Sequence, residues 1–404
     1  MTLVDRTYSL RIVHISDLHI GQPGVEHEWR RRRVLGKAWE ENLDVLRDSG
    51  KAVDLLCFTG DAVFNGKDHY DVASTFFEEV LHRLNLPPER FFAVPGNHDV
   101  DRNVNFSIWK SLRSKLPDLE PVKLSAWLTS GKTPRGFSAQ TLDKVLGRSA
   151  AFWDWLGNGM KRPELLPAQS PHRKLGYRVS LEWPEWPFPI QVIGLDTAWL
   201  AGDEDDAGKL RLTDGQIGML ANEDLKGFKI ALAHHPLDFL ADTKDSRRLL
   251  AERVDIVLQG HLHEPDTELW SDPDRSLREN TAGCLYEHDR WPNSMHVIDV
   301  ELDAAGQPLH YDLWVRSWSS RSSSWFDDNG LYKATKDGKL RRYTPLGEAA
   351  RLRRLAEASL EALRRESRER IFIEREKEMG ELVETLLSGP GTPSHCAITT
   401  VEGM

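Results

Sequence analysis

Five short apolar runs in this chain each end on side chains that a divalent metal accepts, and this pattern constrains the fold most tightly. Leu10–Ser16 leads into Asp17-Leu-His19, and Val53–Thr59 into Gly60-Asp61. Phe91–Val94 leads across Pro95 into Gly96-Asn97-His98-Asp99, Lys229–Ala233 into His234-His235-Pro236, and Val254–Leu258 into Gly260-His261-Leu-His263. Runs this short and apolar read as buried strands. In open α/β sheets, sites gather just beyond the carboxyl ends of the strands. One rim therefore receives Asp17, His19, Asp61, Asn97, His234, His261 and His263, the donor set of a two-metal centre in an enzyme.

The rest of the chain fits around those runs. Helical patterns over roughly 27–49 and 69–85 follow the first two, the second with Phe76, Phe77, Val80, Leu81 and Leu84 on one stripe. A largely helical insert spans about 103–176. Strands are expected at Tyr177–Leu181 and Ile190–Leu195, and a short helix opens at Thr213. Beyond His263 come short strands at Thr267–Trp270, Thr281–Tyr286, Ser294–Val300 and His310–Val315. Parallel βα units followed by antiparallel strands predict an α/β fold of two mixed sheets packed as a sandwich, with helices outside. The domain is bounded at 1–343. A charged helix then covers 344–388, either packing on its own domain or serving an oligomer or protein partner, and 389–404 is a flexible tail.

Charge is uneven. The net charge is -10, yet residues 103–176 hold twelve Lys/Arg against five Asp/Glu, a local +7. Trp109, Trp127, Trp153 and Trp155 lie among those cations, which suits single-stranded nucleic acid. The same residues equally describe a helical subdomain with tryptophans in its own core. No apolar stretch reaches the ~18–20 residues of a membrane span, and the N-terminus lacks the build of a signal peptide. Cys57, Cys284 and Cys396 have no ligand spacing. A cytoplasmic protein with no membrane attachment is expected.

The chemistry follows from the donors. Asp17 and His19 can grip one ion, and Asp61 can bridge two with its two oxygens. Asn97, His234 and His261 suit the second ion, while His263 can turn back to the first. Two ions ~3.5–4 Å apart can activate a bridging water and hold both oxygens of an in-line displacement at phosphorus. Nitrogen and oxygen donors without a thiolate favour Mn²⁺, with Fe or Zn²⁺ as alternatives. His98 could donate a proton to the leaving oxygen or bind the phosphoryl group.

The motifs Asp17-x-His19, Gly60-Asp61-x4-Gly66, Gly96-Asn97-His98-Asp99, His234-x-Pro236 and Gly260-His261-x-His263 together resemble the calcineurin-like metallophosphoesterase superfamily. The resemblance spans residues 17–263 in the family's order. It implies Asp17, His19, Asp61 and His263 on one metal, with Asp61, Asn97, His234 and His261 on the other. It further implies His98 as general acid, and Asp99 and His235 as supporting residues behind the ligands. One departure is informative. Protein phosphatases of the superfamily carry Gly-Asp-x-x-Asp-Arg-Gly at the second motif, where this chain has Phe64 and Asn65. The acid that orients the catalytic His and the Arg that binds a phosphomonoester dianion are both absent. The resemblance therefore points to the phosphodiesterase and nuclease branch, with a nucleic acid or nucleotide as substrate. A phosphomonoesterase, or an oligomerising scaffold working through 344–388, is the alternative. Asn65 and Arg102 are candidate substrate contacts, although an ion pair of Arg102 with Asp99 or Asp101 would explain it as well. The far wall of the cleft could come from His296 or Trp291.

Overall fold

The computed structural model describes residues 6–167, 175–202, 205–287, 291–333 and 338–369. Two compact units divide the chain, Met1–Arg342 and Tyr343–Met404. In the first, β1 (Tyr8–Ile15), β2 (Leu55–Phe58) and β3 (Phe91–Ala93) run parallel. The second sheet is built from β4 (Gly176–Leu181), β5 (Ile190–Leu195), β6 (Phe228–Leu232), β7 (Ile256–Gln259), β8 (Asp266–Ser271) and β9 (Ser276–Thr281). The chain then returns to the first sheet as β10 (Ser294–Leu302), β11 (Pro308–Ser319), β12 (Ser324–Asp327) and β13 (Leu340–Tyr343). The strand orders are β12-β11-β10-β1-β2-β3, with β13 on β11, and β4-β5-β6-β7-β9-β8. Both sheets mix parallel and antiparallel pairs, as expected from the sequence.

Period-two alternation explains the layering. On β5, Ile190 and Val192 join the core that also holds Ile12, Phe58 and Phe92, whereas Ile193 and Leu195 face a second core. On β6, Ile230 and Leu232 join the first core while Ala231 joins the second. The central strands are thus apolar on both faces, which is why they read as unbroken runs. The second core is closed by the insert, through Trp109, Leu112, Leu124, Trp127, Leu128 and Leu142.

That packing decides between the two readings of the insert's tryptophans. Trp109, Trp127 and Trp155 are buried, and Trp153 packs against the first core. Trp109 Nε1 donates to the Leu200 carbonyl (2.8 Å) and Trp155 Nε1 to Ser74 Oγ (3.0 Å). Rings as enclosed as those of Trp109, Trp127 and Trp155 cannot stack a base.

Several expectations shift. The helix expected over 27–49 is two, α1 (Val25–Leu35) and α2 (Lys37–Arg47), broken at Gly36. A Cβ on Gly36 would stand 2.3 Å from the Arg32 carbonyl oxygen, so only glycine fits the break. The strand expected at Thr281–Tyr286 does not form; β9 lies just before it, at Ser276–Thr281, and the segment beyond touches the end of β1 through one Ser16–Cys284 bridge. Its apolar content reflects burial beneath the metal centre. Helix α3 (Tyr70–Arg83) buries Phe77, Val80 and Leu81 as the stripe predicts. The insert comprises α4 (Phe106–Lys115), α5 (Pro121–Ser130), α6 (Ala139–Leu146) and α7 (Ala150–Asp154). After it come α8 (Asp214–Leu220) and α9 (Thr243–Arg253).

In the second unit, α10 (Pro345–Glu369) starts with proline at its first position, and Thr344 Oγ1 accepts from Gly347 N at 2.7 Å. Leu352, Leu355 and Leu363 on it are exposed. Residues 370–388 of the expected helix and the tail 389–404 lie outside the described residues. Among the described residues no helix is long and apolar enough to cross a membrane.

Candidate metal centre

The strand ends bring the seven expected ligands to one rim, and the backbone is forced to do so. Asp17, His19, Asp61, His261 and His263 all have positive φ (58°, 48°, 62°, 72° and 62°), a region that side-chain-bearing residues rarely enter. Such conformations cost roughly 1–3 kcal/mol each and cluster where function demands them. Gly60 (φ 101°) makes the turn before Asp61, and a Cβ on it would meet Gly96 N at 2.6 Å.

Asp61 sits between two half-sites. Its Oδ2 is 3.3 Å from His19 Nε2 and 3.4 Å from His234 Nε2. On one side, Asp17 Oδ1 lies 3.2 Å from His263 Nε2 and 3.9 Å from His19 Nε2. On the other, Asn97 Oδ1 lies 3.0 Å from both His234 Nε2 and His261 Nδ1. Buried carboxylates, an amide oxygen and imidazole nitrogens converge here, a donor set that fits divalent cations. Cys284 is close to His263 and Glu287, and burial drives its thiol well above the ordinary range.

Charge is balanced only locally. Burial would raise Asp17, yet the adjacent His263 holds it below the usual carboxylate range. Asp61 is likewise lowered against burial, by His234 and His98. Burial is outweighed at His234 by Asp61, which raises it to about 9, and at His263 by Asp17 and then Glu287, which raise it to about 10. His261, buried beside His234, falls to about 3.

Behind the ligands stands a supporting layer. Fully buried Asp99 accepts from Gly96 N (2.9 Å), Asp61 N (2.7 Å), Ala62 N (3.3 Å) and Val63 N (3.3 Å), and from Tyr70 Oη (3.2 Å). It staples the second-motif loop to the third, while burial, reinforced by Asp61, pushes it up to about 7. His234 Nδ1 donates to the Thr59 carbonyl at 2.6 Å, which turns Nε2 inward. His235 is buried, its Nδ1 3.1 Å from Thr197 Oγ1, with its ring against His261 at 4.6 Å.

His98 is oriented without the missing acid. Its Nδ1 donates to the Phe64 carbonyl at 3.0 Å, and its ring stacks on the Phe64 ring (4.7 Å, 29°). The position that loses a carboxylate therefore still aims the histidine, leaving Nε2 as the free nitrogen. Burial lowers His98 below the ordinary imidazole range, against the raising influence of Asp61.

Two expected contacts fall outside the cluster. Asn65 is exposed and turned into its own loop: Nδ2 donates to Asp68 Oδ2 (3.0 Å), and Oδ1 accepts from Asp68 N (3.1 Å). Arg102 is near enough for its charge to depress His98, and among the described residues it pairs with neither Asp99 nor Asp101. His296 does not line the cleft; it is fully buried opposite His14.

Sequence reasoning missed Glu287 and Arg31. Glu287 pairs with His263 Nδ1, and Arg31 donates to the Leu18 and His19 carbonyls while lying over the Tyr286 ring at 4.8 Å. Neither has a ligand spacing.

A βα sandwich with a dinuclear donor set on its rim defines a metal-dependent phosphoester hydrolase. The sequence model of the calcineurin-like phosphoesterases matches residues 10–265, and the chain belongs to that family, whose site is dinuclear. A curated relative, the uncharacterized metallophosphoesterase-like protein YydB of Bacillus subtilis (strain 168), is 21% identical over 344 residues. The match covers 82% of this chain and 64% of that protein, so this chain spans less than two thirds of the relative's length. Similar solved structures include a 5'-nucleotidase precursor from Thermus thermophilus (TM-score 0.37, 15% identity, 76% of this chain and 54% of that one). The sulfate thiohydrolase SoxB from Thermus thermophilus (0.41, 11%, 80% and 58%) and a dimetal phosphatase from Danio rerio (0.34, 10%, 75% and 95%) are others. Likeness at these values carries no information about substrate.

Proposed function

We propose that the chain is a metal-dependent phosphodiesterase acting on nucleic acid or nucleotides, with Mn²⁺ as the working ion and Fe or Zn²⁺ as substitutes. The observation that carries the reading is the second-motif loop. Its Asn65 amide is committed to Asp68, so the loop offers no guanidinium to a monoester dianion. A diester, with one charge fewer, needs less. Arg102, whose charge acts on His98, would contact the substrate phosphate.

Asp17, His19 and His263 would hold one ion, Asn97, His234 and His261 the other, with Asp61 between them. Bound there, the pair supplies Lewis-acid activation of water and of the phosphoryl group. His98, fixed through Phe64, then delivers a proton from Nε2 to the leaving oxygen. The free, buried Cys57 and Cys284 support a reducing cytoplasm, and the exposed leucines of α10 support a second copy or another protein as partner.

The test is cleavage of circular single-stranded DNA, with aryl phosphodiester and aryl phosphomonoester controls, by the Mn²⁺-loaded protein. His98→Ala is expected to keep two metal equivalents by elemental analysis and lose about 10²–10⁴ of the rate. Asp61→Asn and His261→Ala should abolish turnover. Undiminished activity in His98→Ala would remove its general-acid role, and faster turnover of the monoester would replace a phosphodiesterase by a phosphomonoesterase.

A further inference from the structure

The metal centre is not the only feature on this face of the molecule. A cavity of about 530 Å³ opens between α1, residues 286–287 and 291–293, and the end of β11. Three indoles, Trp29, Trp291 and Trp318, and two guanidiniums, Arg30 and Arg33, contribute to its wall. Its size is that of a small-ligand site. Trp29 is 65% exposed, a large apolar area to leave in water unless something covers it.

The cavity is tied to the first half-site by three contacts. Its wall residue Glu287 pairs with His263 Nδ1. The Trp291 ring lies 6.2 Å from the His263 ring. Its wall residue Tyr286 lies under Arg31, whose guanidinium holds the Leu18 and His19 carbonyls at 3.1 and 2.5 Å. A ligand filling the cavity would thus be separated from His19 and His263, two expected ligands of the same ion, by a single layer of side chains.

The chemistry of the wall selects the ligand. Indole faces take up flat aromatic groups whatever their hydrogen-bonding edge, and guanidiniums bind phosphate. Arg33 is held in place by the Ser320 carbonyl (2.7 Å) and Ser323 Oγ (2.7 Å), bonds that leave part of its five-donor fork for an anion. Aromatic faces interleaved with cations are the build of a single-strand track. The insert, where the sequence suggested such a track, has Trp109, Trp127 and Trp155 buried instead.

We propose that this cavity is a nucleotide subsite, taking the base and phosphate next to the scissile bond of a single-stranded nucleic acid. It rests on the phosphodiesterase reading for its position but can be tested without turnover. Stacking on Trp29 and Trp291 anchors the base, and Arg33 takes its phosphate.

The test is fluorescence anisotropy of a fluorescein-labelled fifteen-residue oligo-dT with the full chain in EDTA, where no cleavage can occur. Trp29→Ala should weaken binding roughly 5- to 150-fold, the value of one stacked base, and Trp29→Phe should restore most of it. Phe106→Ala, on α4 in the wall of a separate cavity that Trp109 and Lys110 also line, should leave the affinity unchanged. No binding by the wild type, or wild-type affinity in both Trp29→Ala and Trp291→Ala, would overturn the subsite. So would a loss confined to Phe106→Ala. Hydrolysis of an aryl phosphodiester by the Mn²⁺-loaded wild type is read separately: its failure strikes the catalytic reading and leaves the binding result standing.

Discussion

Asp17, His19, Asp61, His261 and His263 occupy a backbone region in which glycine would be more comfortable, and glycine has no donor atom to offer. The cost is accepted because it turns each side chain sharply off its strand toward the rim. The glycines beside these residues serve the opposite need, close approach. A Cβ on Gly96 would fall 2.1 Å from Asp61 Oδ1 and 2.6 Å from Asp61 N, so the carboxylate and the backbone behind it would have to shift. Gly96→Ala is therefore expected to displace the carboxylate shared by both half-sites. We expect about 10²-fold lower activity, a stability loss of about 1–3 kcal/mol and less than two bound metals per chain. Two metals at full affinity in that variant would refute the close-approach argument. The donors themselves were legible in the sequence, because a metal site needs particular atoms at strand ends. Glu287 was not. Its pairing with His263 depends on where the segment after β9 runs, and no local spacing records that.

Among the elements, β1 holds the first sheet together because it pairs the antiparallel β10 on one side and the parallel β2 on the other. Arg11 and Asp299 are opposite one another on the β1–β10 ladder, bonded Nε to Oδ1 (2.7 Å) and Nη2 to Oδ2 (2.9 Å), with Lys51 and Lys339 also on the carboxylate. Burial would raise Asp299, yet Arg11 and Lys339 hold it below the usual carboxylate range. A depressed carboxylate contributes its stability above its unfolded pKa of about 4 and loses it as pH falls through the folded value. Asp299→Asn strands a guanidinium that is 3% exposed and should cost about 3–5 kcal/mol at pH 7. Denaturant melts at pH 7 and pH 3 check this: the gap between wild type and variant should shrink at the lower pH, and a constant gap would assign the loss to packing. Strand identities were readable from apolar runs. The break at Gly36 and the strands Ser324–Asp327 and Leu340–Tyr343 were not, since edge strands with polar faces carry little periodicity.

For the whole molecule, the rim concentrates carboxylates and imidazoles in one buried place, so ions that bind only the folded chain stabilise it by mass action. Chelation should lower the melting temperature, and Mn²⁺ at about a hundredfold its dissociation constant should return about 2.7 kcal/mol. A melting curve indifferent to both would mean that the cluster holds no ion. By itself the sequence determined the family and the candidate donor atoms, because these rest on residue type and order along five strand ends. It also determined the sandwich, because apolar periodicity is local. Only tertiary structure decided that the insert's tryptophans close a core, that Phe64 aims His98 through its carbonyl, and that Trp29, Trp291 and Trp318 share a wall. Those facts depend on which surfaces meet across hundreds of residues, and burial against a distant partner leaves no mark on local spacing.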